Sequence, residues 1–362
     1  MSIDLAGRVL RSRTVAALAS PHGIDRYLKQ INPMWAAHEV RARIVSVERE
    51  VAVAGHPTVA TVTLQPTSTW AGHRAGQHVS VGVEVDGTRR TTRVFSISSP
   101  DSHPGDRFTL TIRANPEAGE RSVSTFLTER ARPGQLVHLS QAEGDFVLPD
   151  RMPEHVLLLS GGSGITPVMA MLRSLQRRTH RGRITFLHFA QSPEHTIFGA
   201  ELAEVARSGH GIDVHVLHPR QGDPYLSPAF LERLVPGYRD VPAWACGPAS
   251  LIEAARAAYD GSDALRVEYF KPPRVSGTAG GSLTFTRSGV TVPNTGAPVL
   301  EQAEAAGLTP EYGCRMGICF SCTARKSDGV TRNILSGETS SLPDDDIRIC
   351  VSAPDGDCAI DL

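Results

Sequence analysis

The chain has 362 residues, enough for two or three domains, and its apolar content of 40% is ordinary for a globular protein with a sizeable core. A net charge of −1 indicates no nucleic-acid partner, and no stretch approaches the ~18 consecutive apolar residues of a membrane-spanning helix. Residues 282–362 carry 11 acidic and 6 basic side chains, a net charge of −5, which leaves +4 for the rest. This asymmetry indicates either electrostatic docking of an acidic part on a basic part or ordinary charge scatter.

Residues 1–37 are predicted to form a helical leader. Apolar residues spaced as on a helical face run from Ile3 to Leu18, and a second short helix is predicted from Gly23 to Ile31. Because the apolar stripe is narrow, we expect the leader to pack on the next domain rather than to anchor the chain to a membrane or a partner.

Residues 38–150 are predicted to form an antiparallel β-barrel. Short runs of alternating apolar and polar residues follow one another with glycine or proline between them, which is typical of such barrels. Six strands are predicted, at residues 40–47, 58–64, 77–85, 93–97, 108–112 and 135–139. We expect the barrel to close near residues 146–148.

In residues 151–271, buried apolar runs alternate with helical segments, which predicts a doubly wound parallel α/β domain. Its strands are predicted at residues 155–160, 184–190, 212–217, 241–246 and 267–270. Its helices are predicted at residues 168–177, 200–208, 227–234 and 249–259. Residues 272–281 are a linker by their proline and glycine content.

Two motifs of the α/β domain indicate a nucleotide. The glycine-rich segment 161–167 joins a buried strand to a helix, as a pyrophosphate cradle does, although a plain tight turn has the same composition. Pro167 is expected at the first helical position. The segment 246–248 ends a later strand at the carboxyl edge, where ligands bind in such sheets. Cys246 is either a small buried residue or, as we favour, a contact of the nicotinamide.

One barrel strand carries residue types that suit a flavin. Alternation places Arg93 and Phe95 on one face and Ser96 on the other, which offers a charge for phosphate, a ring plane and a hydrogen bond. An ordinary strand with an exposed arginine is the alternative. Further along, a helix is predicted from Phe126, and hydroxyl groups at its start can bind phosphate, namely those of Ser122, Ser124 and Thr125.

Four cysteines near the C-terminus have the spacing C-x4-C-x2-C…C of a plant-type 2Fe–2S ferredoxin. Gly313 and Gly317 suit the tight loop, because close backbone approach and positive φ are easy only for glycine. A zinc site is the alternative, but zinc usually takes paired C-x2-C knuckles, and only one pair is present. Cys246 and Cys358 remain as reduced thiols, so we expect a cytoplasmic protein. The predicted cluster ligands are Cys314, Cys319, Cys322 and Cys350.

In their order and spacing, Arg93-x-Phe95-Ser96, the 161–167 segment and Cys246-Gly247-Pro248 resemble the ferredoxin–NADP reductase family. With the ferredoxin-like segment behind them, residues 38–362 resemble three-part reductases of the phenylacetyl-CoA epoxidase and oxygenase type. The leader is similar to that of reductases that serve acyl-CoA desaturases. The resemblance implies a flavin-binding barrel at 38–150, an NAD(P)-binding domain at 151–271 and a β-grasp ferredoxin domain at 282–362.

The resemblance also implies roles for individual residues. The hydride-transfer site is expected to contain Ser96, Cys246 and Glu268. The flavin is expected to contact Arg93, Phe95, Ser96, Thr111, Ile112, Arg113, Ser122, Ser124, Thr125 and Phe270. The nicotinamide dinucleotide is expected to contact Gly162, Gly164, Thr166 and Cys246. The usual tyrosine of the flavin motif is Phe95 here, which loses a hydroxyl group but keeps the ring plane.

These expectations describe an electron-transfer flavoprotein. NAD(P)H reduces FAD, expected over FMN, and the electrons pass through the 2Fe–2S cluster to a separate oxygenase or desaturase. That acceptor can itself be membrane-bound, whereas the chain is expected to be a cytoplasmic monomer that reaches the membrane only through its partner. The alternatives are a redox sensor, a zinc-stabilised binding module, or a reductase for a Rieske dioxygenase or a cytochrome P450.

NADPH is expected over NADH, which remains the alternative. Arg220, with His218, follows the strand that ends at residue 217, where the family carries the basic reader of the 2′-phosphate. In the preceding loop, Ser192 is a further donor and Glu194 is an opposing acid.

Overall fold

The computed structural model describes residues 12, 14–15, 19, 23–84, 90–118, 122–209, 211–269, 278–312, 317, 320 and 322–362. Most of the first predicted leader helix, Phe270, Gly313, Cys314 and Cys319 lie outside these residues. The chain divides into two compact units, residues 1–268 and residues 269–362. Among the described helices, none is long and apolar enough to cross a bilayer.

The second predicted leader helix is present as α1 (Ile24–Ile31). Its buried Asp25 accepts hydrogen bonds from the backbone N–H groups of Ala37 (2.5 Å), His38 (2.9 Å) and Glu39 (3.1 Å). These bonds tie the helix to the chain that enters the barrel. Leu28 is buried, as packing on the domain requires, but other apolar residues of the leader stay exposed.

The first sheet has six antiparallel strands in the order β4-β3-β6-β1-β2-β5. The alternating burial along β2 shows why these sequences form strands, since every second side chain enters the core. In that core, the rings of Trp70 and Phe108 stack 4.7 Å apart. The strands are β1 (Val40–Val51), β2 (Val59–Pro66), β3 (His78–Glu84), β4 (Arg90–Ser96), β5 (Phe108–Arg113) and β6 (Leu136–Leu139).

The barrel closes elsewhere than expected. A single bridge between Ile97 and Leu110 joins the two outer strands, whereas the predicted closing segment 146–148 forms no strand. That segment instead contacts the next sheet, because the indole N–H of Trp244 donates to the carbonyl of Val147 at 3.1 Å. Its apolar residues pack between the two sheets and do not pair with a neighbouring strand.

A short helix, α2 (Val123–Thr125), follows β5 and continues as a π-helical turn over Phe126–Arg130. The prediction that the helix begins at Phe126 is wrong by three residues. Ser122 is its N-cap, and the Ser122 hydroxyl accepts the backbone N–H of Thr125.

The second sheet is the predicted doubly wound one, in the order β11-β10-β7-β8-β9. Strand β7 pairs in parallel with both β8 and β10, so the chain winds first to one side of β7 and then to the other. The strands are β7 (His155–Gly161), β8 (Arg183–Phe189), β9 (Ile212–Leu217), β10 (Ala243–Gly247) and β11 (Leu265–Tyr269). The helices are α3 (Ile165–Arg177), α4 (Gly199–Ser208), α5 (Pro228–Leu234) and α6 (Ala249–Ala258).

Helix α3 begins at Ile165, so Pro167 occupies the third helical position and not the expected first one. The first turn tolerates proline there, because the N–H groups of this turn have no intrahelical partner.

In the second unit, the described residues form a mixed sheet with one helix, as expected for a β-grasp domain. Strand β17 pairs in parallel with β12 and antiparallel with β14, and Val299, Leu300 and Ala303 of α7 are buried in the same core. The elements are β12 (Ser282–Phe285), β13 (Val290–Pro293), α7 (Val299–Ala305), β14 (Thr323–Asn333), β15 (Thr339–Ser340), β16 (Asp345–Arg348) and β17 (Ser352–Ile360).

Candidate functional site

The ends of β7 and β10 form the crevice at which the strand order of the parallel sheet reverses. A Cβ atom at Gly164 would overlap the carbonyl oxygen of Cys246, and one at Gly161 would lie 2.9 Å from the Cδ of Pro248. The two strand ends therefore meet backbone to backbone, which only glycine permits. A crevice of this kind is where doubly wound sheets bind their ligands.

The glycine-rich turn leads straight into the N-terminus of α3. Gly162 has a φ of +52° and open space in front of its Cα, so a ligand can approach the backbone there. The Thr166 side chain is buried, and its hydroxyl donates to the Ser163 carbonyl at 3.2 Å, which holds the turn in shape. The N–H groups and the positive end of the helix dipole suit a pyrophosphate.

Glu268 connects the barrel with the parallel sheet. It lies on β11, and its Oε2 is 3.5 Å from the hydroxyl oxygen of Ser96 at the end of β4. Its Oε1 is 3.9 Å from the Nδ1 of His78 on β3, a neighbour that the sequence did not indicate. Burial raises the pKa of Glu268 to about 8, and the Ser96 hydroxyl offsets this only in part. At neutral pH the site therefore holds a protonated carboxyl group.

Cys246 is the penultimate residue of β10 and lies close enough to Glu268 to feel its charge. Its side chain is fully buried, and burial, with a smaller contribution from the Glu268 carboxylate, raises the pKa of the thiol well above its usual range. Cys246 is thus a neutral thiol. It suits a close contact with an aromatic ring and does not suit nucleophilic chemistry.

On the barrel, the predicted flavin residues divide by exposure. The Ser96 side chain is buried beside Glu268, and the half-buried Phe95 packs against the barrel core. Thr111 is buried, and its hydroxyl oxygen lies within 2.9 Å of the hydroxyl oxygens of Thr61 and Ser98. The Ile112 side chain belongs to the core as well.

The outer edge of β5 is a candidate contact for the flavin. Arg113 lies on this strand, and Arg93 lies on β4. Strand β5 pairs with β2 along its whole length and meets β4 at the Ile97–Leu110 bridge, so beyond that bridge its other edge lies at the opening between β4 and β5. Thr111 and Ile112 can therefore contribute backbone groups there but not free side chains. Arg113 is exposed and Arg93 is half-buried, which suits them to phosphate groups.

The three hydroxyls predicted for phosphate form one cluster at the start of α2. The Ser122 oxygen accepts from the Thr125 hydroxyl at 3.0 Å and lies 3.1 Å from the Ser124 oxygen. These hydroxyls thus lie at the start of a helix, and their binding of a phosphate stays a prediction.

The loops after β8 and β9 carry the predicted nucleotide readers. Arg220 is exposed in a turn after β9, and the backbone N–H of His218 donates to Asp223 at 2.7 Å. The Ser192 hydroxyl donates to the Glu194 carboxylate at 2.5 Å. Glu194, the acid expected to oppose a 2′-phosphate, thus already accepts the hydrogen bond that Ser192 was expected to donate to the nucleotide.

A histidine behind these loops was not predicted. His188 on β8 is fully buried, its Nδ1 is 2.9 Å from the Ser160 hydroxyl oxygen, and its pKa is lowered to about 3 by burial and by His218. A neutral histidine inside a buried strand has no sequence signal that distinguishes it from a packing residue.

Two of the four predicted cluster ligands are described. Cys322 and Cys350 are buried, and the backbone N–H of Gly317 donates to the Sγ of Cys350 at 3.3 Å. Gly317 has a φ of +73°, and a Cβ there would lie 2.7 Å from the Cγ2 of Val351. Because N–H groups directed at cysteine sulfurs stabilise the negative charge of a cluster, these residues fit an iron–sulfur site.

The remaining cysteine of this unit has another role. The thiol of Cys358 on β17 donates to the Asp328 carbonyl at 3.3 Å, and burial raises its pKa to about 11. A thiol that stays protonated is a poor metal ligand.

Comparisons with known proteins agree with this architecture. Residues 158–257 match the model of the oxidoreductase NAD-binding domain, and residues 283–355 match that of the 2Fe-2S iron-sulfur cluster binding domain. The chain is 37% identical over 358 residues to an NADPH oxidoreductase of Mycobacterium tuberculosis, covering 97% of this chain and 91% of that protein. It is 30% identical to the phenoxybenzoate dioxygenase subunit beta of Ectopseudomonas oleovorans, covering 77% and 84%.

Among solved structures, phthalate dioxygenase reductase superposes with a TM-score of 0.59 at 23% identity, covering 89% of this chain and 97% of that one. The fold is thus that of phthalate dioxygenase reductase. The chain belongs to the family of flavin-dependent NAD(P)H oxidoreductases that carry a C-terminal 2Fe–2S domain. The predicted fold class, the oxidoreductase activity and the 2Fe–2S cluster are confirmed, and the zinc alternative is wrong.

Proposed function

We propose that the chain takes electrons from NADPH and passes them, through FAD and the 2Fe–2S cluster, to a separate oxygenase or acyl desaturase. The observation that carries this proposal is the meeting of Ser96, Cys246 and Glu268, which come from the ends of strands in two different sheets. In this proposal residues 38–150 bind the flavin, residues 151–271 the nucleotide and residues 282–362 the cluster.

When bound, a flavin would supply the chemistry that joins hydride transfer from the nicotinamide to one-electron transfer. Glu268 keeps a proton available at neutral pH beside the Ser96 hydroxyl, where a hydrogen bond to the flavin ring is expected. Cys246 provides a neutral, buried wall for the nicotinamide ring, so that no charge opposes the transfer.

FAD is favoured over FMN by the two separate groups of phosphate-binding residues. Arg93 and Arg113 lie on β4 and β5, and a second set of hydroxyls surrounds Ser122 at the start of α2. An FMN carries one phosphate, whereas FAD carries two and an adenosine beyond them. Identification of the extracted cofactor by mass is the direct measurement.

NADPH is favoured by the exposed Arg220. Its turn follows β9, and no acid is bonded to its side chain among the described contacts. The acid of the neighbouring loop, Glu194, accepts the Ser192 hydroxyl and is thereby partly compensated. The related NADPH oxidoreductase of Mycobacterium tuberculosis is named for the same nucleotide.

The acceptor is proposed from the relatives. Several are named as reductase parts of oxygenase systems, among them the glycine betaine monooxygenase reductase subunit and the 3-ketosteroid-9-alpha-monooxygenase ferredoxin reductase component. We propose that this chain, as a cytoplasmic monomer, serves such a separate acceptor, which can be a membrane-bound desaturase.

The test removes the cluster alone. Cys319→Ser is expected to abolish NADPH-dependent reduction of cytochrome c while reduction of ferricyanide, which takes electrons at the flavin, is retained. Cys358→Ser is the matched control, since its thiol only donates to a carbonyl, and both activities should persist. Equal loss of both activities in Cys319→Ser would contradict two separate centres in series.

A further inference from the structure

The leader exposes three large apolar side chains on one side of α1 and just beyond it. Tyr27, Ile31 and Trp35 are exposed by 41%, 71% and 52%, and we call these three residues the leader patch. Tyr27 and Ile31 are four residues apart and so share one helix face. Elsewhere in the described residues, exposed large apolar side chains occur only singly, at Tyr225, Phe320 and Leu342.

The leader patch is held in place by two buried polar side chains. Asp25 accepts the three backbone N–H groups of residues 37–39. The buried Arg41 donates to the Trp35 carbonyl at 2.5 Å and to the Glu39 carboxylate at 2.9 Å. Burying a carboxyl and a guanidinium group is costly unless they are hydrogen-bonded, so the leader patch is a built surface and not a loose tail.

The exposed charges of residues 23–37 are all positive. Residues 23–37 contain two exposed basic residues, Arg26 and Lys29, and a single acid, Asp25, which is buried. Tryptophan and tyrosine beside lysine and arginine are the residue types that prefer the interface between lipid headgroups and acyl chains. Anionic headgroups complete the match by charge.

We propose that the leader patch docks the protein on the surface of an anionic phospholipid bilayer, with α1 lying flat. An eight-residue helix is about 12 Å long, so it contacts the interface without entering the membrane. A protein partner would also accept aromatic and basic residues, but the exposed acid that follows the leader patch, Glu39, is already paired with Arg41 at 2.9 Å, so the exposed basic residues favour the anionic bilayer. The docking would confine the reductase to the plane in which a membrane-bound acceptor is reached.

Trp35 provides the first test. The other two tryptophans, Trp70 and Trp244, are fully buried, so a change in tryptophan emission on adding vesicles reports on Trp35. With the holoprotein, vesicles of phosphatidylglycerol and phosphatidylcholine should shift the emission to shorter wavelength, and brominated lipids should quench it. Unchanged emission would overturn the proposal.

The second test compares two variants matched in exposure. Ile31 and Leu342 are both 71% exposed, one in the leader patch and one in the other unit. Ile31→Ser should lower the partition coefficient onto anionic vesicles about tenfold or more, because the transfer of an isoleucine side chain from water to an apolar environment changes that coefficient by at least this factor. Leu342→Ser should leave the partition coefficient unchanged. Ferricyanide reduction should be the same in both, which shows that the fold is intact.

Charge provides the third test. Arg26→Gln with Lys29→Gln, or high salt, should weaken binding to anionic vesicles, and vesicles of phosphatidylcholine alone should bind poorly. Absence of sedimentation with anionic vesicles, or equal losses in Ile31→Ser and Leu342→Ser, would overturn the proposal. So would protection of Trp35 from acrylamide by an acceptor protein but not by vesicles, since the leader patch would then be a protein-docking face.

Discussion

Glu268→Gln should make the protein more resistant to unfolding at high pH. In the unfolded chain the Glu268 carboxyl ionises at its ordinary pKa of 4.5, and in the folded protein burial raises that pKa to about 8. Between these values the folded state holds one proton more than the unfolded state. The free energy of unfolding therefore falls as the pH rises from 4.5 to 8 and is level above that range.

The size of the effect follows from the two pKa values. At about 1.36 kcal/mol per pKa unit, the ionisable carboxyl lowers the free energy of unfolding by about 2 kcal/mol at pH 6 and by about 5 kcal/mol at pH 9. Glutamine does not ionise, so the variant should gain about 3 kcal/mol on wild type between these pH values. In a unit of this size that corresponds to roughly 6–12 °C in the midpoint of thermal unfolding.

The assay is thermal or urea unfolding of both proteins at pH 6 and pH 9, with the flavin signal and far-UV circular dichroism recorded together. A difference in unfolding free energy between wild type and variant that is the same at both pH values reports only the altered hydrogen bond. A difference that grows from pH 6 to pH 9 reports the ionisation of Glu268. An infrared band of a protonated carboxyl that disappears on raising the pH, and is missing in the variant, would identify the group. If the difference in unfolding free energy is the same at both pH values, Glu268 is not held protonated and the proposed proton source is lost.

The remaining predictions concern the glycine turn, the nucleotide reader and the leader. Gly164→Ala should destabilise the protein by about 1–3 kcal/mol in a denaturant titration and weaken nucleotide binding, because the new Cβ would overlap the Cys246 carbonyl. Gly199→Ala, whose Cβ makes only ordinary contacts, should be tolerated in the same titration. Arg220→Ala should reduce the preference for NADPH over NADH in kcat/KM by roughly ten- to hundredfold, whereas the exposed Arg207→Ala should not, and an unchanged preference would locate the 2′-phosphate elsewhere. Asp25→Ala should release the leader at a cost of about 3 kcal/mol, visible as faster hydrogen exchange at residues 37–39, and Asp150→Ala, an exposed carboxyl, serves as its control.

The strands were predictable because their burial follows a local pattern. Strand β9 begins and ends at the predicted residues, and the barrel strands lie within a few residues of their predicted bounds. Turns and helix starts were less predictable, because they depend on which backbone groups find partners. Helix α3 begins three residues early since the turn Gly162–Gly164 is itself helical, and residues 146–148 form no strand because Trp244 takes one of their carbonyls.

The chemistry of the site depends on contacts across long stretches of sequence. The sequence could nominate Ser96 and Glu268 by resemblance, but they are 172 residues apart, and no local pattern states that their oxygens are 3.5 Å from each other. Asp25 and Glu268 are both largely buried carboxyl groups, yet Asp25 accepts three backbone N–H groups whereas Glu268 meets one hydroxyl group at a long distance. The three backbone partners make Asp25 a structural anchor, whereas burial raises the pKa of Glu268 and its one long hydrogen bond offsets that rise only in part. A carboxyl group that keeps its proton in the folded protein lowers the free energy of unfolding above pH 4.5, and the role that we propose for Glu268, between the residues proposed to contact the nicotinamide and the flavin, would compensate for this loss.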